Sequence, residues 1–528
     1  MNFILKVCKE CGEIEIVDDP NDLLYCPKCG ASYPDKEETE AEKASKDKVE
    51  ITTDDPGFVI KGSLLVDYNG NKEDLVIPGG ITVIGSNFAH NKKISTVTIP
   101  DSVKIIESRA FKFCNDLTCV VIPDSVTTIE RQAFSNCKNL TGVVIGKGVT
   151  SIEEGAFTGC SSLNSIVCNA ERYSVVNDCL IEDGTKLLVG TSHSTIPDGI
   201  TTICKYAFSG IKELTEINVP DSVTSINMCA FSRCPALKAV TLGNGVTHIG
   251  VSAFSGCESL KSIVIPDNVE FIDYHAFQDC KNLSSIVIGS GVNKINARPF
   301  EGCNVDEVVC RSDNYRVEGG CLIEGARVAL GTNTSVIPEG INRISDSAFS
   351  GRRNLAEIKI PDGVTFIGDK AFYDSNITEI VIPDSVEFIG NQAFAFCDKL
   401  QSVRLSDNVT SFGNYAFIHC HSLTDITIPK SVTHISDSAF DGCRNLKRVT
   451  IHNGPEEIED HAFFCCRSLT DVYIPDSVEV ISDSAFDGCS NLTMHVTCPE
   501  KMKYWSEKLC SDKYSISIVC DYDQAAFA

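Results

Sequence analysis

The sequence predicts a mainly β fold: a solenoid of about sixteen 23-residue units with parallel stacked strands, preceded by a small four-cysteine module. Three observations carry this reading. Phenylalanine recurs at Phe88, Phe111, Phe134, Phe157, Phe208, Phe231, Phe254, Phe277, Phe300, Phe349, Phe372, Phe394, Phe417, Phe440, Phe463 and Phe486, spaced by 23 residues apart from one gap of 22 and two of 51 and 49. A fixed period of this length marks stacked coils. Within each unit, apolar residues two apart end in proline, as at Val120, Ile122 and Pro123. That is the pattern of a strand with one buried face and a blocked end. The third observation is a pair of Cys-x2-Cys knuckles near the N-terminus.

The knuckles come first in the chain. Cys8, Cys11, Cys26 and Cys29 form two pairs, each followed by a glycine, Gly12 or Gly30. Each tight turn points two thiolates at one metal, and four cysteines make a closed, tetrahedral, structural zinc site rather than a catalytic one. A redox dithiol lacks its usual strand–helix context here. The stretch resembles a zinc ribbon over about residues 6–34, a family that often mediates protein or nucleic-acid contacts. Its acidic neighbours (Glu10, Glu13, Glu15, Asp18, Asp19, Asp22) favour protein contact or stability alone. The ribbon is assigned to 1–34. Residues 35–55 are polar, charge-rich and free of aromatics, which makes them a linker.

The array is expected over 56–498. Leu117, Val120, Ile122 and Pro123 mark a first strand, and Ser125, Val126 and Ile129 a short second strand. The A-F-x2-C segment closes the coil as a compact turn or single helical turn, with its Phe and Cys inward. The pattern A-F-x2-C-x2-L-x2-V-x-I-P-x-S-V-x2-I resembles the BspA-type leucine-rich repeat. The resemblance implies parallel sheets and, at one strand per coil, sixteen coils about 75–80 Å long. Inserts near 168–196 and 310–337 carry related sequences from Tyr173 and Tyr315, with Asp183-Gly184 as a hairpin turn; the start from Gly57 looks like the same module. All three read as β-hairpins dividing the array into blocks. After Cys498 the period ends. Met502, Trp505 and Leu509 at helical spacing, then alternation over Tyr514–Val519, predict a cap over 499–528.

A net charge of −26 repels phosphate backbones and disfavours nucleic acid as a general partner. No apolar run approaches the roughly 20 residues of a membrane-spanning helix. The N-terminal apolar run is too short for a signal peptide, and the expected location is cytoplasmic. Of 27 cysteines, twelve lie three residues after a repeat phenylalanine. They read as buried filler in a reduced compartment, not as disulfides.

No phosphate loop, dinucleotide fingerprint, nucleophile elbow or zinc-protease motif is present, and the expectation is no enzyme. Aspartates after the strand proline, such as Asp124 and Asp221, suit Asx turns. Solenoids bind on their strand faces, and the outward positions lie eight and ten residues after each phenylalanine. Early blocks place small or apolar residues there, such as Cys119, Val121, Val144 and Val264, a candidate self-association surface. The last block places Glu357, Lys359, Arg404, Asp425, Arg448, Asp471 and Tyr473 there, a candidate partner face. The leading function is a non-enzymatic protein-binding scaffold carrying one structural Zn2+. The alternatives are a surface adhesin, which the resemblance to the BspA type implies, and a nucleic-acid-associated regulator acting through the ribbon.

Overall fold

The computed structural model describes residues 4–7, 14–17, 51, 53–497, 499–509 and 516–521. Cys8, Cys11, Cys26 and Cys29 and most of the expected linker lie outside the described residues. Near the N-terminus, strands Ile4–Val7 and Ile14–Val17 pair antiparallel, with Val7 opposite Ile14. The array is engaged before Pro56. Ile51 packs against the first core cluster, and Asp55 accepts from the Gly57 N–H at 2.9 Å and pairs with Lys72 at 3.2 Å.

Most coils have two strands. Along Cys119–Ile122 exposure alternates, with Val120 and Ile122 buried, because successive side chains leave opposite faces. The strand stacks parallel and in register on the next coil, Val120 opposite Val143 and Ile122 opposite Ile145. The second strand is only two residues long, and Ile106, Ile129 and Ile152 form its buried row. The aspartates expected in Asx turns do something else: Asp124 accepts the Lys147 N–H at 2.9 Å, and Asp221 the Asn244 N–H at 2.7 Å, both one coil onward. They bind coil to coil.

The A-F-x2-C segment is a compact turn and not a helical one. Residues two before and two after the phenylalanine adopt the left-handed region, as at Gln132 (φ 59°) and Asn136 (φ 58°). Two such residues aim the intervening N–H groups along the stack: the Phe134 N–H meets the Ala156 carbonyl at 2.8 Å and the Asn136 N–H meets Thr158 at 2.7 Å. These bonds offset a conformation that side chains rarely adopt. The rings inside stack nearly parallel, 5.2 Å apart for Phe111–Phe134 and 5.3 Å for Phe417–Phe440. Full burial of each contributes about 1.5–3 kcal/mol of transfer free energy.

The twelve repeat cysteines are buried and free, and they are more than filler. Each thiol donates to a buried carbonyl of the preceding coil, as Cys137 does to Phe111 at 3.1 Å and Cys280 to Phe254 at 3.2 Å. Burial pushes the Cys397, Cys443 and Cys489 thiols up to about 12.

The stack has about 19 turns, not sixteen. Counting phenylalanines misses the coils where another residue stands in the phenylalanine site. Gly190 donates its N–H to the Ala207 carbonyl (2.9 Å) and Gly331 to Ala348 (2.8 Å), the bond that phenylalanine makes elsewhere; Tyr68 does the same to Phe88 at 3.2 Å. The first mark is also slipped by one residue. Ala89 occupies the phenylalanine site, bonding Ala110 at 2.7 Å and accepting the Cys114 thiol. Phe88 therefore meets Phe111 edge-on, at 83°.

The expected inserts hold antiparallel strands, Tyr173–Val176, Cys179–Glu182 and Lys186–Val189 in the first, Arg316–Glu318, Cys321–Glu324 and Arg327–Leu330 in the second. Phe58–Lys61 pairs with Leu64–Tyr68 likewise. The inserts are wedges. On the phenylalanine side the turn at Gly159 bonds directly to Ser209 (2.9 Å), with no complete A-F-x2-C turn between them. The extra strands therefore widen only the other side, and the core divides into three large clusters at the wedges, with a small fourth around Leu64 and Val83. At the second wedge Arg352 stands in the cysteine position. It is wholly buried and donates to the carbonyls of Gly331 (2.6 Å), Ser350 (2.5 Å) and Cys303. Desolvation lowers its pKa to about 10.

At the far end the helix Pro499–Leu509 covers the last coil with Trp505 fully buried and Met502 against the core. Strand Ile516–Cys520 then pairs parallel with Leu492–Val496.

Candidate functional site

The first strands of the last block form a seven-stranded sheet from Glu379–Val381 to Ile516–Cys520. Alternation puts two rows of side chains on its outer face. One row runs Glu379, Ser402, Asp425, Arg448, Asp471, residue opposite residue. In the other, Val381 stands opposite Arg404, and Thr427, Thr450, Tyr473 and His495 follow one another. Glu357, Lys359, Arg404, Asp425 and Arg448 are exposed, while Asp471 and Tyr473 are half-buried.

The structure brings Glu357, Lys359 and Arg404 together in one cleft of about 1000 Å³, beside the second wedge. Its interior carries Val336, Ile358, Val381 and Leu405. Its rim adds Asp362, Glu379, Asp384 and Asp407. Five carboxylates thus face two cations, and among the described residues none of the seven is in an ion pair (Asp362, Asp384 and Asp407 fill one repeat position in three successive coils). The residue count after each phenylalanine found the strand positions; it missed the aspartates because they belong to the turn beyond the strand. The cleft exists because the sheet is interrupted. Residues 357–360 follow the strand path, with Glu357 and Lys359 outward and Ile360 buried, yet among the described residues they pair with neither neighbour. The Ala356 carbonyl accepts the Thr378 N–H at 2.9 Å, after which the ladder stops.

Asp425 and Arg448 continue the face beyond the cleft. Asp471 and Tyr473 belong to a different arrangement at the capped end. There His495 contacts Asp471 at 3.1 Å and Asp521 at 2.7 Å, and its ring stacks on Tyr473 at 4.5 Å. The Thr470 hydroxyl, then His495, holds the Asp471 carboxyl below its usual range. Sequence reasoning missed this cluster because its members come from three different strand ends. In the first two blocks the face carries exposed valines, Val76, Val121, Val167 and Val264, among mostly small or polar residues. A smaller cleft of about 450 Å³ flanks the first wedge, lined by Ser194, Ile196, Glu216 and Asn218. One charge there against seven at the second wedge singles out the larger cleft for recognition.

Among the described residues no group of three or more His, Cys, Asp or Glu side chains is placed to hold a metal, and no helix is long and apolar enough to cross a membrane. The cleft offers apolar floor, charge and open backbone, which are means of recognition.

The sequence profile described as "BspA type Leucine rich repeat region" matches residues 68–184, 189–306, 330–447 and 410–520. No curated protein matches the chain. Among solved structures, a leucine rich cell surface protein from Faecalibacterium prausnitzii is 24% identical, over 90% of this chain and 99% of its own, with a TM-score of 0.39. A leucine-rich repeat protein from Bacteroides ovatus is 23% identical, over 89% and 98%, at 0.37. The pneumococcal vaccine antigen PcpA is 14% identical, over 90% and 99%, at 0.42.

Proposed function

We propose, for a chain that belongs to the BspA-type leucine-rich repeat family, a non-enzymatic protein-binding role seated on the strand face of the last block. The observation that carries it is the cleft, where three of the seven candidate partner residues meet on an interrupted sheet. A face with unpaired charges of both signs suits a protein partner better than a polyanion. The test is affinity purification with the full chain and with Arg404→Glu/Arg448→Glu. Loss of specific partners on charge reversal is expected, and unchanged partners would end this reading.

The N-terminal cysteines are proposed to hold one structural zinc through Cys8, Cys11, Cys26 and Cys29. The spacing supports this, as does the antiparallel pair flanking the first knuckle. One equivalent of zinc by elemental analysis, lost in Cys8→Ser/Cys11→Ser, is the expected result. A cytoplasmic location is proposed from the thiol ladder, which requires every repeat cysteine reduced. The second reading is a surface adhesin of the BspA type, favoured by family membership. Detection of the chain on intact cells would put it first.

A further inference from the structure

We infer that the cleft takes an extended cationic segment of a partner protein, added as a strand along Glu357–Ile360. The inference rests on the protein-binding reading above and names the chemistry of the partner.

Three observations converge on it. The first is the backbone. Elsewhere on this face strands are tied to the preceding coil, as by Thr141 N–H to Thr118 (2.8 Å) and Gly146 N–H to Ile122 (2.9 Å); where the ladder also stops, before Ser262–Val264, that strand still pairs with Ser285–Val287 of the next coil. Among the described residues, no backbone group between Glu357 and Ile360 has a hydrogen-bond partner, and Glu379–Val381 pairs only with Ser402–Arg404. An unpaired strand is a template for another strand. This one lies within the array, where the terminal helix cannot cover it. The second is shape. The wedge opens about 1000 Å³ beside these groups, lined by Ile358, Ile382 and Leu405. Val336, 69% exposed, is the most exposed large apolar side chain described. An added strand alternates its side chains, and every second one would meet this apolar lining. The third is charge. The remaining side chains would stand beside Glu357, Glu379 and the three turn aspartates, against only Lys359 and Arg404. A segment alternating basic and apolar residues complements both.

The test uses the full chain and short fluorescent peptides, read by anisotropy at physiological salt. The probe alternates lysine and valine. One control replaces lysine with glutamate, and a second carries N-methyl groups on alternate backbone amides. The lysine–valine peptide is expected to bind and the glutamate peptide not to bind. N-methylation should weaken binding about tenfold, the loss of one to two net backbone hydrogen bonds. Glu357→Lys/Glu379→Lys should abolish the preference for lysine, while Lys138→Glu, an exposed cation of the first block outside the cleft, should leave affinity unchanged. Equal binding of the N-methylated peptide would overturn strand addition and leave only a charged patch. Binding lost equally in Lys138→Glu would overturn the cleft as its seat. If no peptide binds while partners still depend on Arg404 and Arg448, strand addition falls and the protein-binding reading stands. If the peptide binds as expected while charge reversal at Arg404 and Arg448 leaves captured partners unchanged, the cleft stands and the wider face falls.

Discussion

Gly331→Ala should disrupt the second wedge, and its size follows from the structure. A Cβ at this position would lie 1.9, 2.3 and 2.6 Å from three atoms of the Phe349 ring. Ordinary contact begins near 3.4 Å, so the ring would have to withdraw by about 1.5 Å, well beyond thermal play in a close-packed core. It has nowhere to go, because Phe349 is fully buried and stacked on Phe372 at 5.0 Å and 4°. Overpacking of a core costs about 1–3 kcal/mol, and a clash of this depth against a stacked ring belongs at the upper end, about 3 kcal/mol. Stacked repeats are stabilised chiefly by nearest neighbours, so the loss should be local. Hydrogen–deuterium exchange should show it in peptides around 321–331 and 343–372, with 96–152 unchanged. Gly79→Ala, where an added Cβ meets nothing within 4 Å, is the control. Phe349→Leu in the Gly331→Ala background should recover part of the loss, a favourable coupling between touching residues. Exchange in Gly331→Ala indistinguishable from Gly79→Ala would refute the placement of Gly331 over the ring. Absence of coupling to Phe349 would refute the steric argument.

Trp505→Ala should unseat the terminal helix at a cost of about 3–5 kcal/mol for a large buried aromatic; protection of 480–496 against exchange and the monomer fraction in size-exclusion runs both fall if the helix is a true cap. The raised thiols of Cys397, Cys443 and Cys489 predict alkaline lability. A folded value near 12 against an ordinary value near 8.5 means stability fully present below about pH 8.5 and lost as pH rises toward 12; denaturant midpoints between pH 7 and 10 measure it, and Cys397→Ala should flatten the slope. Asp267 is held below its ordinary range chiefly by the Ser290 backbone N–H. Its contribution is present above about pH 4 and lost as pH falls through the depressed value, so acid unfolding of Asp267→Asn should depend less steeply on pH than that of the parent chain.

The coil was legible in the sequence because its determinants repeat. Phe, Cys, Leu, Val and Ile recur at fixed positions, periodicity two marks the strand, and proline ends it. The outward rows followed from the same count, which is why Glu357, Lys359 and Arg404 could be named before their cleft was seen. The hydrogen bond of each repeat cysteine was not legible, since a buried thiol and a small apolar filler leave the same mark in a sequence. Nor were the coils centred on Tyr68, Gly190 and Gly331, where a different residue fills the phenylalanine site.

The sequence by itself determined the family, the coil, the direction of each strand side chain and the presence of a cap, because these depend on short-range pattern repeated many times. Tertiary structure decided the number of turns, the wedge and the cleft. These depend on how one irregular coil sits against regular neighbours. An insert that adds strands on one side and no phenylalanine turn on the other must open the sheet where it enters. No local pattern in Leu355–Pro361 distinguishes that segment from its paired counterparts; only the stack around it leaves its backbone unpaired.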